Sequence, residues 1–255
     1  MKECLAEACH NTFVILDCLD KVSLDDQILQ HAHTRLKEEG RDDALILIDG
    51  RVEGDSFSAQ MVVLGLDGQL GEYCGNGARA CAAYLFGLYG SSYRSLFLRT
   101  GTWLHRLSQL GENQFSVTLP PVSFVLNPKF IALDSHIEPF HYVEAIEPHI
   151  VIEKEMSDEE LTAMGRMLNE QKTTFPLGIN VNAWHRLENG GIAVKTYERG
   201  VQRLTQSCGT GSISCAAIAS KEEEKPTTVG VVTPGGSLQI VIREDEIELC
   251  GEGKV

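Results

Sequence analysis

Two cysteines with matching neighbours are the residues of this chain best placed to do chemistry. Residues 74–83 read CGNGARACAA and residues 208–217 read CGTGSISCAA, so six of ten positions coincide at a spacing of 134 residues. In each copy, Cys-Gly-X-Gly leads into a run of small residues with helical character. A helix start leaves backbone N–H groups without intrahelical partners and carries partial positive charge, so it receives carboxylates and favours a thiolate. Glycines remove the side chains that would obstruct close approach. One such site is compatible with a structural role. Two sites imply more: if the helix starts face one another across a cleft between two lobes, a carboxylate held by both sets its α-carbon between two sulfurs. One thiolate then removes the α-proton while the opposite thiol supplies a proton to the other face. No metal or pyridoxal is needed if the cradle stabilises the carbanion and closure excludes water. The pattern predicts inversion at an amino-acid α-carbon, with Cys74 and Cys208 as the two proton carriers and no cofactor.

The elements that must position these thiols recur in the same order. Gln60–Leu64 is β-rich, Asp67-Gly68 signals a turn, and Cys74-Gly75-Asn76-Gly77 opens the helical run Ala78–Leu88. Gly191–Tyr197 alternates like a strand, and the helix containing Ala216–Ser220 should stop by Lys221–Lys225 and Pro226. Further strands are predicted at 12–17, 44–49, 115–119, 149–153, 228–232 and 238–242, and helices at Leu24–Glu39 and Asp158–Gln171. The result is an α+β fold of two pseudo-symmetric lobes, each a mixed or antiparallel sheet wrapped around a central helix. The tandem Pro120-Pro121 cannot sit in a central strand and marks the seam. Residues 1–118 then form the lobe carrying Cys74, and residues 119–255 the lobe carrying Cys208, the last strand being free to return to the first. Cys81 and Cys215 lie two helical turns beyond the motif cysteines, so they should pack into the helix body. Cys4, Cys9, Cys18 and Cys250 have no motif around them and read as small buried hydrophobes.

The bulk properties exclude several classes. A chain of 255 residues suits two domains. A formal charge of −14 argues against a nucleic-acid partner, because phosphate binding needs a basic face. No apolar run approaches the length of a membrane span, and Met1–Phe13 lacks the order of a signal peptide, so a cytoplasmic enzyme without membrane attachment is expected. No C-x-x-C or C-x-x-H pair is present, so no metal site is expected.

The motifs also fall in an order that resembles the diaminopimelate epimerase family over nearly the whole chain. Asn11-Thr12-Phe13-Val14-Ile15-Leu16-Asp17 resembles that family's N-D-F-V-V-I-D opening. Leu66-Asp67-Gly68 and Cys74-Gly75-Asn76-Gly77 follow in register, then Pro148-His149, Phe175-Pro176 with Asn180, Thr196-Tyr197-Glu198-Arg199-Gly200, Cys208-Gly209-Thr210-Gly211 and Thr233-Pro234-Gly235-Gly236. The resemblance implies conversion of LL-diaminopimelate to the meso form, a precursor of lysine and peptidoglycan, by a homodimer. It implies Cys74 and Cys208 as acid and base, and Gly75-Asn76 with Gly209-Thr210 as holders of the reacting carboxylate and ammonium. His149 and Glu198 would tune the thiols, and Asn11, Asn180, Glu198 and Arg199 would meet the far end of the substrate.

Departures from the family pattern concentrate on that far end. Gly65 and Glu147 stand where the family has asparagine, Ala8 and His10 where it has glycine, and the loop after Arg199 is one residue longer. Glu147 is the sharpest change, since a carboxylate repels a carboxylate and welcomes an ammonium; it is retained as a substrate-binding candidate. A racemase of a different or broader set of amino acids is therefore the alternative on the same fold. A proline or hydroxyproline racemase resembles C-G-H-G at the first motif, so Asn76 argues against it. From a different class, a thiol redox or binding protein would pair Cys74 and Cys208 in a reversible disulfide and lose function on reduction.

Overall fold

The computed structural model describes residues 1–133 and 136–255, with the side chains of 124–138 left aside. It divides into two compact units, Met1–Leu119 with Cys250–Val255, and Pro120–Leu249. The break falls at the tandem prolines, one residue beyond the expected boundary, and the last six residues return to the first unit.

The first unit comprises β1 (Lys2–Ala8), β2 (Asn11–Cys18), α1 (Asp26–Glu39), β3 (Asp43–Glu53), β4 (Ser56–Gly65), β5 (Leu70–Gly71), α2 (Gly75–Tyr89), β6 (Ser95–Thr100), β7 (Trp103–Gly111) and β8 (Gln114–Leu119). The second comprises β9 (Ser123–Leu133), β10 (His136–Ala145), β11 (Glu147–Glu153), α3 (Asp158–Glu170), β12 (Asn180–Arg186), β13 (Ile192–Glu198), β14 (Arg203–Thr205), α4 (Gly209–Ala219), β15 (Thr227–Thr233) and β16 (Gly236–Ile242). Strand β17 (Ile247–Glu252) begins in the second unit and ends in the first.

The repeat seen in two ten-residue motifs extends to strand pairing throughout. In the first unit β1 pairs antiparallel with β2, β2 runs parallel to β3 across α1, β3 and β5 pair antiparallel with β4, β4 runs parallel to β6 across α2, and β6 pairs antiparallel with β7. The second unit repeats each step as β10–β11, β11–β12 across α3, β12–β13, β13–β14, β13–β15 across α4, and β15–β16. Both are mixed sheets of the expected α+β class.

Burial explains why each unit needs two unlike helices. Along β2, Val14, Leu16 and Cys18 join Ile28, Ala32 and Leu36 of α1 in one core, while Phe13 and Ile15 on the opposite face are equally buried. A strand covered on both faces reads as a continuous apolar run, as Phe13–Leu16 does. Helix α1 is amphipathic and capped, with Asp25 accepting from the N–H of Ile28 and Gly40 closing it in the left-handed conformation at φ 60°. Helix α3 opens on a Ser157/Glu160 capping box and packs Leu161, Met164 and Leu168 against Ile150, Ile152 and Val181. By contrast α4 is buried at every residue and α2 over most of its length, which small side chains permit. Cys81 and Cys215 are fully buried in these helices, as their spacing predicts. At the end of α4, Arg186 donates to the carbonyl of Ala219 and satisfies a free acceptor. The chain end is tied down where Lys254 exchanges backbone hydrogen bonds with Glu7 and Gly253 donates to the carbonyl of Asn113.

A glycine inside α3 shows how closely this helix sits on its sheet. A Cβ at Gly165 would lie 2.2 Å from Cγ of the fully buried Tyr197 on β13. Replacing Gly165 by Ala is expected to cost about 1–3 kcal/mol despite alanine's better helix propensity. The urea midpoint would fall at unchanged m-value; an unshifted midpoint would contradict this packing. Among the described residues, no helix is long and apolar enough to cross a membrane.

Candidate active site

Each motif cysteine caps the helix behind it. Cys74 is the N-cap of α2 in extended conformation, its Sγ accepting from the N–H of Gly77 at 3.2 Å. Cys208 is the N-cap of α4, its Sγ accepting from the N–H of Gly211 at 3.4 Å, with Thr210 Oγ1 at 3.5 Å. Both sulfurs therefore occupy the capping place usually held by a Ser, Thr or Asp oxygen, where helix N–H groups stabilise negative charge. The second glycine of each motif answers to the strand beneath it. A Cβ at Gly77 would meet Leu45 Cδ2 at 2.8 Å, and one at Gly211 would meet Asn182 Oδ1 at 2.3 Å. For these two glycines the reason is close packing within the unit, rather than the room for a ligand that the motif alone suggests.

The first unit gathers Cys74, Gly75, Asn76 and Asn11 around a residue that the sequence reading passed over. Arg79 is fully buried and donates to Asn76 Oδ1 at 2.7 Å, to the carbonyls of Gly75 and Glu252, and to Cys9 Sγ. A guanidinium only donates, so it fixes Asn76 with its oxygen inward and its amide NH₂ outward. That NH₂ donates to Asn11 Oδ1 at 2.6 Å, which in turn leaves the NH₂ of Asn11 as the outward-facing donor. Arg79 thus sets the polarity of an amide chain at the helix start and acts as a positioning residue. Arg79→Met should raise KM about tenfold with a smaller change in kcat, because a hydrogen bond to a buried charge is lost and Asn76 can flip. Arg79→Lys should recover part of the loss; equal falls in kcat and KM effects absent from both variants would contradict the assignment.

The second unit gathers Cys208, Gly209, Thr210, Glu147, Asn180, Glu198 and Arg199. Asn180 Oδ1 accepts from the N–H of Arg199 at 3.0 Å, which turns its Nδ2 to Glu147 Oε2 at 3.3 Å. Thr210 Oγ1 reaches the same oxygen, and Arg199 Nη2 reaches Glu147 Oε1, both at 3.5 Å. Glu198 accepts from Thr205 Oγ1. Burial pushes the Cys208 thiol well above its ordinary range, and the negative charges of Glu198 and Glu147 push it further, against the hydrogen bonds from Thr210 and Gly211. Cys208 is a protonated thiol in this state.

His149 is positioned by a residue the sequence reading also missed. Asn182 accepts from Thr196 Oγ1 and donates to the carbonyl of Ile150. Its Nδ2 therefore also faces His149 Nδ1, at 3.1 Å, as a donor. The imidazole then carries its proton on Nε2, which has no hydrogen-bond partner among the described residues. Burial and the charge of Arg199 hold the ring's pKa down to about 3, so His149 is neutral at physiological pH. It is fitted to donate a hydrogen bond from Nε2, rather than to take a proton there. The N-V-N alternation at 180–182, which puts both amides on one face of a buried strand, was the available signal for Asn182. All eight cysteines are free thiols, and no group of three metal-ligating side chains occurs among the described residues.

Comparison with known proteins gives this site its context. The family model described as diaminopimelate epimerase matches residues 144–255. The diaminopimelate epimerase of Hydrogenobaculum sp. (strain Y04AAS1) is 28% identical, covering 94% of this chain and 91% of its own. That of Thermotoga maritima is 28% identical, covering 96% and 95%. Among solved structures, a hydroxyproline epimerase from Agrobacterium vitis with bound trans-4-hydroxy-L-proline superposes with a TM-score of 0.75 at 12% identity, covering 99% of this chain and 90% of that one, which shows the shared fold. Fold and relatives together define an isomerase of the racemase and epimerase class. Within that class the chain is most specifically similar to diaminopimelate epimerases, through the family model over residues 144–255 and through relatives aligned along nearly its whole length.

Proposed function

We propose that this isomerase inverts the α-carbon of an amino acid by passing protons through two thiols, Cys74 and Cys208, without a cofactor. The observation that carries this reading is the duplication of one device: in each unit a cysteine replaces the usual oxygen cap of a buried helix whose N–H groups it accepts. A thiolate formed there is stabilised by the helix start, and a thiol there is a ready proton donor. The partial positive charge of a helix start favours the substrate carboxylate, and the Asn11 amide turned outward by Asn76 adds a donor. Glu198, beside Cys208, keeps that sulfur protonated in the resting state, and His149 offers its Nε2–H to developing negative charge.

The relatives' names make diaminopimelate the first candidate substrate, with LL-diaminopimelate converted to the meso form in lysine and peptidoglycan precursor synthesis. A different amino acid on the same machinery is the second reading, favoured by the surroundings of Glu147. A cytoplasmic homodimer acting on a small-molecule amino acid is the form proposed for either. Incubating pure LL-diaminopimelate and a panel of single-enantiomer amino acids in D₂O tests the function. Deuterium at the α-carbon of at least one, with formation of its epimer, is expected; no α-exchange with any member would overturn the proposal.

A further inference from the structure

Three donors in the second unit converge on one carboxylate that belongs to the protein itself. Asn180 Nδ2 and Thr210 Oγ1 address Glu147 Oε2, and Arg199 Nη2 addresses Oε1. The Glu147 and Arg199 side chains are only 17% and 12% exposed, so the pair is largely withdrawn from water. Glu147 is held there at a backbone cost. Ile146, the single residue between paired Ala145 and Glu147, takes φ 68°, a left-handed conformation that β-branched residues avoid. Such strain is retained where the residue it places has a task.

A guanidinium, an amide NH₂ and a hydroxyl aimed at one point form a receptor for a carboxylate. Here Glu147 fills it from within. We infer that the substrate of this enzyme is an α-amino acid whose side chain carries no carboxylate and ends in a neutral or cationic group. A second carboxylate arriving at Arg199 would have to displace Glu147 or lie beside it, and with Glu198 adjacent the site is already rich in negative charge. A terminal ammonium instead finds two carboxylates to accept its hydrogens. The inference rests on the two-thiol reading above, because the receptor matters only if the reacting carbon lies at Cys208.

Lysine and diaminopimelate make a matched pair of probes, since diaminopimelate is lysine with one further carboxylate on the carbon bearing the distal amine. Initial α-deuterium incorporation from D₂O is to be measured for L-lysine and for LL-diaminopimelate with the wild-type enzyme, Glu147→Gln and Cys208→Ala. The wild type is expected to favour lysine at least about tenfold in kcat/KM, given the cost of setting like charges together. Glu147→Gln, which removes the negative charge facing Arg199, should shift the ratio toward diaminopimelate by a similar factor. A wild type faster on diaminopimelate overturns the inference whether or not the variant folds, and leaves the two-thiol reading standing. Wild-type exchange with no member of the wider amino-acid panel, or epimerisation persisting in Cys208→Ala, overturns that reading and the inference with it.

Discussion

Cys74→Ala and Cys208→Ala are each expected to lower epimerisation by at least about 10³-fold, because a positioned acid or base contributes on that scale and inversion requires one on each face. The two variants should nonetheless differ in what they retain. With Cys208 gone, Cys74 can still remove a proton from the enantiomer that presents its hydrogen to it, exchange with solvent and return deuterium to the same face. With Cys74 gone, Cys208 can do this only to the other enantiomer. Slow exchange with retention, of opposite enantiomers in the two variants, is the expected signature by NMR in D₂O. A redox or binding role for the cysteine pair gives no such pattern, and epimerisation surviving either substitution contradicts the mechanism. Both alanines remain inside packed helix starts, so thermal unfolding should show the variants folded; Cys81 and Cys215, buried two turns on, serve as controls for nonspecific thiol loss.

Acid should destabilise the enzyme through His149 by a large and separable amount. The ring's pKa is about 3 in the folded chain against an ordinary value of 6.5, so between these limits the unfolded chain binds a proton that the folded chain does not. Stability then rises with pH across this window: the penalty is absent above about pH 6.5 and grows on acidification until the folded ring also protonates near pH 3. It amounts to on the order of 2 kcal/mol at pH 5 and about 4 kcal/mol near pH 3. Asp43, pushed up to about 6 by burial and by Asp42 and Asp67, acts in the opposite sense. Comparing wild type with His149→Gln isolates the imidazole: the variant's urea-derived stability should fall about 2 kcal/mol less between pH 7 and pH 5. Parallel curves would mean that His149 is not a buried neutral ring.

Most of the elements that position the site can be read from the sequence, since local signals and tertiary demands agree there. The small residues after Cys74-Gly75 and Cys208-Gly209 announce helices that fit inside a sheet, and Asp158–Gln171 is helical to within one residue of its end. Agreement fails where tertiary pairing overrides local preference. Lys2–Ala8, reading KECLAEA, is rich in helix formers, yet it is a strand paired with β2 through seven residues. Strand β7 likewise gives a weak period-2 signal, because its adjacent residues Trp103 and Leu104 are both apolar and both exposed.

Within the candidate site, the residues that bear reactive groups were legible and those that orient them were not. Cys74, Cys208, Glu147, Glu198 and Arg199 stand in motifs whose chemistry can be argued from residue type. Arg79 stands in the same motif as Cys74, but on a helix an arginine ordinarily faces solvent, and only its zero exposure identifies it as an anchor. Asn182 is a strand residue whose role comes from contacts with Thr196 and His149, far away in sequence. For His149 the sequence supplies an imidazole, while its tautomer depends on the Asn182 amide, oriented by Thr196 and the carbonyl of Ile150. Orientation of this kind is a property of the folded network and leaves no spacing pattern behind.

The central claim is that two different thiols serve the two faces of one carbon, and isotope position at early times tests it most directly. A single enantiomer of a turned-over amino acid is incubated in D₂O, and mass and stereochemistry are followed together before a tenth of it has reacted. The account predicts that the newly formed epimer carries deuterium while the remaining starting enantiomer keeps its protium, because the sulfur that delivers is not the one that removed. Deuterium appearing equally in both enantiomers from the first time points, or protium carried from substrate into product, would contradict it.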